Sequence, residues 1–337
     1  MSLNSNAVST KCLYVEKVSP DDSAVRTIRT LPMDEIQANR VRIKVEYSSL
    51  NYKDALCATG HPGVARNLPI VPGIDAAGHV VESKSDQFKK GDAVMVFHAA
   101  FGTAENGGMS QFIDVPADWV YPIPAQLNSR TAMIYGTAGF TAAQCIDQLQ
   151  KHDIRPDVGE IIVSGATGGV GIVSVAMLSK LGYTVVASSG KPEKFDWLKE
   201  LGASDVIGRA ELDDQTDRPL LTGRWGGAVD TVGGNTLPTI LRSTKPQGCV
   251  TACGLVGGID LNMSVYPFIL RGVTLQGVDT AGISPKYRRE IWQKIATDWM
   301  IDTLDELEIE TDLDNVETKI EEILAGKIAG RVIVKLN

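Results

Sequence analysis

Over the first 125 residues the apolar positions fall in short runs separated by turns. Residues 41–45 (VRIKV) alternate apolar and charged side chains, the period of a half-buried strand. Pro72-Gly73, Lys90-Gly91-Asp92 and Gly107-Gly108 punctuate further apolar segments, 78–81 and 93–97 among them. At Ser129 the pattern changes to a helical stretch running to about Lys151.

From Glu160 onward the order is regular. IIVSG, YTVVASSG, SDVIG, GGAVDTVGG, GCVTACG and GVTLQGV are strand candidates, with helical segments such as GGVGIVSVAMLSKLG and PEKFDWLKELGA between them. Strands alternating with helices predict a parallel sheet covered on both faces. Six of them match a doubly wound dinucleotide fold. Helices near 287–300 and Val316–Leu324 and a closing strand over 331–336 complete the chain. Residues 161–179 carry no charge, but their glycines divide the run into strand, turn and helix start, which disfavours a membrane helix.

Composition narrows the function classes. The 337 residues suffice for two domains. With 33 Lys+Arg against 41 Asp+Glu the net charge is −8, so no basic excess exists to neutralise nucleic-acid phosphates or an anionic membrane. Cys12, Cys57, Cys145, Cys249 and Cys253 form no Cys-x-x-Cys pair, so neither a zinc lobe nor a redox dithiol is indicated. Unpaired thiols and a polar N-terminus without a signal-peptide core predict a cytoplasmic protein. The 33 glycines exceed the usual share of ~7%.

Those glycines cluster. Gly165, Gly168, Gly169 and Gly171 (G-A-T-G-G-V-G) lie between an apolar strand and an apolar helix. Residues without Cβ let the backbone approach a pyrophosphate, and the amides of the helix start face the anion. The ordinary alternative is a tight turn without a ligand. At the end of the second strand, where an NAD enzyme carries Asp or Glu, the chain reads Ser188-Ser189-Gly190-Lys191. Hydroxyls, an amide and an ammonium suit a 2′-phosphate, which predicts NADPH over NADH.

SSLNYKDAL (48–56), PGIDAAG (72–78), GTAGFTA (136–142), SGATGGVG (164–171), GAVDTVGG (227–234) and PFILRGVTLQGVD (267–279) occur in a fixed order. Together they resemble the medium-chain dehydrogenase/reductase superfamily, specifically its zinc-free acryloyl-CoA reductase branch of YhdH/YhfP-type quinone oxidoreductases. The resemblance implies an α/β fold: a GroES-like β-barrel catalytic domain (1–128 and 279–337) plus a Rossmann domain (129–278) with a doubly wound parallel six-stranded sheet. It also implies an active site in the cleft and a homodimer paired through the sheet edges. Zinc-containing relatives place Cys in the segment Asn51-Tyr52-Lys53-Asp54 and Gly-His-Glu at Gly73-Ile74-Asp75, so neither zinc nor flavin is expected.

Direct hydride transfer from NADPH to an alkene conjugated with a carbonyl then remains, acryloyl-CoA to propionyl-CoA by resemblance. Its developing oxyanion needs oriented donors. Tyr52 is the candidate donor, its alternative being a buried tyrosine that satisfies a backbone carbonyl; Asn51 and Asp54 of the N-Y-x-D pattern are assigned to positioning, and Asp54 is equally the cap of a helix starting near Ala55. The cofactor contacts carried over are Tyr52, Ala166, Thr167, Gly168, Gly169, Val170, Ser189, Gly190, Lys191, Arg209, Leu255, Ile269, Thr280 and Arg331. Arg66, Arg271, Lys286, Arg288 and Arg289 are candidates for the CoA phosphates. The alternatives are an NADPH:quinone or enone oxidoreductase without CoA, and a catalytically idle NADPH-binding protein.

Overall fold

A computed structural model describes residues 8–17, 19 and 23–336. They divide into two compact units, Met1–Thr137 with Glu308–Asn337, and Ala138–Leu307. The sequence-based boundaries at 128/129 and 278/279 fall elsewhere. The helix Pro285–Ile295 belongs with the second unit because Tyr287 and Lys294 both reach the buried Asp147 carboxylate, each at 2.6 Å.

In the first unit the long strand Arg40–Leu50 is the centre of a sheet that is seven-stranded among the described residues. Val41, Ile43 and Val45 are fully buried, as the alternation predicts. Arg42 departs from it: the residue is 5% exposed because Nε and Nη2 grip the Asp114 carboxylate at 2.8 and 2.7 Å. The closing strand Arg331–Lys335 runs antiparallel to the end of this long strand, with Val332 opposite Leu50. That register sets Arg331 beside Asn51, where the strand gives way to the short helix Tyr52–Ala58. Val80, Val94, Val96 and Val334 complete the centre of this core.

The second unit holds a six-stranded sheet, all parallel. Its spatial order is Asp205–Gly208, Val185–Ser189, Ile161–Val163, Trp225–Asp230, Thr244–Ala252, Thr274–Gly277. Counted along the chain that is 3-2-1-4-5-6, so the order reverses between the first and fourth strands, the place where such sheets bind ligands. Continuous apolar strands and the buried helix Gly169–Lys180 follow from a sheet covered on both faces. The helix expected over 287–300 ends at Ile295, where Trp299 N–H turns back to the Lys294 carbonyl at 3.0 Å. Among the described residues no helix is long and apolar enough to cross a membrane.

Candidate active site

The glycine turn sits at the C-terminal end of Ile161–Val163. Gly165 has φ +57, and a Cβ at Gly171 would stand 2.8 Å from Ala166 Cα, so side chains are excluded by the packing itself. Gly168 caps the helix Gly169–Lys180 without any side-chain acceptor. Its first amides and the positive end of its dipole therefore suit an anion. Ala166 N–H bonds Ser188 O at 2.9 Å, and the Thr167 and Ser189 hydroxyls meet at 3.2 Å, which locks the turn to the second strand.

Cations stand next to it. Lys191 N–H donates to Ser189 Oγ at 3.1 Å, and burial pulls the Lys191 ammonium below its usual range, with Glu193 opposing and Lys194 reinforcing that shift. Arg209 follows the third strand, whose Gly208 pairs with Ser189, and its side chain lies along Gly190. The turn thus meets the second strand at Ser188 and Ser189, and Gly190 and Arg209 adjoin that strand end. On the far side Thr231 Oγ1 donates to Ser164 O at 2.9 Å, and Ser164 Oγ donates to the buried Asp230 at 2.6 Å. Leu255 adjoins Gly233 on the next loop and is 60% exposed. Ile269 is 67% exposed on the short helix Tyr266–Arg271, and Thr280 bonds Thr141 at 2.8 Å.

In the first unit, Asn51, Asp54 and Arg331 come together around Asp75, a residue that sequence reasoning marked only as standing at a relative's Glu. Asp54 and Asp75 are fully buried and Arg331 is 2% exposed. Asp54 Oδ2 accepts from Asn51 N–H at 2.8 Å and from Asn51 Nδ2 at 3.0 Å, while Oδ1 accepts from Ile74 N–H at 2.8 Å. The cap expected of Asp54 is therefore real, but it closes on the helix starting at Tyr52, with Asn51 as N-cap. Arg331 Nε donates to Ile134 O at 2.8 Å and Nη1 to Asn51 Oδ1 at 3.3 Å. Its guanidinium is thus turned inward within the first unit. Tyr52 is 40% exposed beside these buried groups. Among the CoA-phosphate candidates, Arg271 is spent on three backbone carbonyls and the buried Arg288 on Thr280 O, which removes both. Arg66, Lys286 and Arg289 are exposed.

Burial, then the neighbouring Asp75 charge, push the Asp54 carboxyl up to about 7. Folded Asp54 therefore binds its proton more tightly than unfolded Asp54. Its contribution to stability is full below the unfolded value of 3.8 and is lost as the pH rises through about 7. Wild type should lose stability relative to Asp54→Asn between about pH 4 and pH 8. Urea unfolding of both proteins across that range measures this, and a pH-independent difference would contradict it.

Among the described residues no group of three His, Cys, Asp or Glu is placed to hold a metal ion. Residues 169–300 match the family described as zinc-binding dehydrogenase, and residues 37–125 the alcohol dehydrogenase GroES-like domain. Acrylyl-CoA reductase AcuI of Ruegeria pomeroyi is 40% identical over 96% of this chain and 98% of its own. YhfP of Bacillus subtilis, which carries a quinone oxidoreductase name, is 42% identical over 97% of this chain and 98% of its own. Its structure with NAD bound superposes with a TM-score of 0.94, at 41% identity over 98% of this chain and 100% of that one. The structure of Escherichia coli YhdH with bound NADPH gives 0.91, at 42% identity over 97% and 100% of the two chains.

Proposed function

Because this chain belongs to the medium-chain dehydrogenase/reductase family, in the group that holds acrylyl-CoA reductase and YhfP, we propose that it reduces short α,β-unsaturated acyl-CoA thioesters with NADPH. The reaction is acrylyl-CoA plus NADPH and a proton to propionyl-CoA plus NADP⁺. The observation carrying this reading is the 40% identity to AcuI along almost the whole chain, with Asn51, Tyr52 and Asp54 present as a set.

The cofactor supplies a hydride for the β-carbon. The residues fit it: the helix Gly169–Lys180 starts without a side-chain cap, so the first-turn amides of Gly169 and Val170 suit a pyrophosphate, with Ala166, Thr167 and Gly168 forming the turn before them. Ser189, Gly190, Lys191 and Arg209 would hold the 2′-phosphate, with no carboxylate between Ser188 and Lys191 to repel it. Leu255, Ile269 and Thr280 would border the nicotinamide end. Lys191→Ala should raise the KM for NADPH about 10-fold or more, through loss of a charged hydrogen bond, and leave that for NADH nearly unchanged. An equal effect on both cofactors would remove the assignment.

Tyr52 would donate its phenol hydrogen to the thioester oxygen as negative charge develops there, and Asn51 and Asp54 would hold it in place. Labelled NADPH with deuterium at the transferable position should deliver it to the β-carbon of propionyl-CoA. Label at the α-carbon would refute the reaction. The name of YhfP favours a second reading, a quinone or enone reductase without a CoA requirement.

The acting species is a homodimer in this reading. Val256, Ile259, Val265 and Leu270, in the segment before the edge strand Thr274–Gly277, are 63, 82, 62 and 62% exposed, and exposed apolar side chains together with an open strand edge suit a second copy of the chain. Ile259→Asp should convert a dimer to a monomer in light scattering, and an unchanged mass would argue against this face. All five cysteines are unpaired, which supports the cytoplasm as its compartment.

A further inference from the structure

The carboxylate of Asp75 collects four donors from three places in the first unit. Ser49 Oγ and Asn51 Nδ2 (2.8 Å) reach Oδ2, as does Thr137 N–H at 2.8 Å, and Thr137 Oγ1 reaches Oδ1. Its own backbone carbonyl accepts from Ser48 Oγ at 2.7 Å. The loop residue thereby ties the end of the strand Arg40–Leu50 to the start of the helix Tyr52–Ala58 and to the Gly136–Thr137 kink of the helix Ser129–Lys151.

This arrangement is costly for the fold. Two carboxylates and one guanidinium are buried together, and Arg331 Nη2 has no hydrogen-bond partner. Apolar side chains of equal volume would often serve stability as well or better. What the charges do accomplish is direction. Asn51 is clamped on both sides, its amide nitrogen between Asp75 and Asp54 and its oxygen on Arg331, and the next residue, Tyr52, reaches solvent.

We propose that Asp75, with Arg331 as its counter-charge, is a positioning residue of the reaction, holding the Asn51–Tyr52 step in the geometry that presents the Tyr52 phenol. The inference rests on the role given to Tyr52 above. A misplacement of about 1 Å at a reacting group costs on the order of 10²-fold, so a hub acting on the residue before Tyr52 has room for a large effect. It also sets a titration. Asp54 faces Asp75 from the loop, Arg331 from the closing strand and the Cys57 thiol on its own helix. Removing the Asp75 charge takes away the like-charge repulsion on Asp54, and its titration moves to lower pH.

Asp75→Asn keeps the shape and removes the charge. With whichever acceptor the wild type turns over, it should lower kcat about 10-fold or more, hold the KM for NADPH within about 2-fold, and move the limb of the pH profile that Asp54 sets to lower pH. The same substitution placed on Tyr52→Phe should add less than about 3-fold, because the two act through one group. A folded Asp75→Asn with wild-type kcat and an unmoved limb overturns the proposal, and so do effects that multiply in full. If Tyr52→Phe alone leaves kcat intact, the role of Tyr52 fails first, which is a separate outcome. Should Asp75→Asn not fold, Thr137→Val removes one hydroxyl donor and keeps the N–H. A reduced kcat that is non-additive with Tyr52→Phe supports the hub, and an unchanged kcat overturns it.

Discussion

Alanine at Gly136 is expected to cost the protein about 3–5 kcal/mol, from backbone strain and overpacking together. Gly136 interrupts the helix Ser129–Lys151 with φ 49 and ψ −157, a conformation open in practice to glycine alone. A Cβ there would stand 2.7 Å from Ser49 Oγ, 2.8 Å from Asp75 Oδ2 and 2.9 Å from Arg331 Nη2. None of these neighbours can swing away, since each is buried. If the kink relaxed toward a regular helix instead, Thr137 would leave the Asp75 carboxylate and take two of the four donors from a buried charge. Thermal denaturation should register a fall on the order of 10 °C, or no folded protein. A Gly136→Ala protein melting with the wild type would mean that the kink is not built as described.

The second large effect is on the reaction. Tyr52→Phe should lower kcat with the conjugated thioester by about 10²-fold, the loss typical of one donor to a developing oxyanion. Tyr52 is 40% exposed, and phenylalanine keeps the ring, so the melting temperature should change little. At that exposure Tyr52 is not the buried tyrosine of the alternative reading, and the specific loss in kcat with an intact fold is what marks it as a donor. A change under about 3-fold would remove it from the reaction.

The sequence carried most of the second unit because each strand is a short apolar run closed by glycine, and the buried parallel sheet demands such runs. The glycine turn was legible for the same reason, since its spacing reports local backbone geometry. The Gly136 kink was not legible. A glycine inside a helical pattern is tolerated without breaking it, and what breaks this helix is Asp75, brought by another segment. Arg331 was read from the resemblance as a cofactor contact, whereas strand register carries its guanidinium to Asn51 and Ile134 O. Arg271 and Arg288 were candidates for the CoA phosphates on charge alone, because no sequence pattern reveals which carbonyls an arginine will satisfy. Asp54 was open between cap and functional group, and its bonds make it a cap inside a charged cluster.

The central claim is an NADPH-dependent reduction of a short conjugated acyl-CoA. Steady-state kcat/KM with NADPH, measured side by side for acrylyl-CoA, a free enone and a benzoquinone, addresses it most directly. The account predicts that acrylyl-CoA is preferred by at least about 10-fold, because binding energy from the CoA moiety is available to the chemical step. Turnover of the quinone alone, with acrylyl-CoA inert, would contradict it.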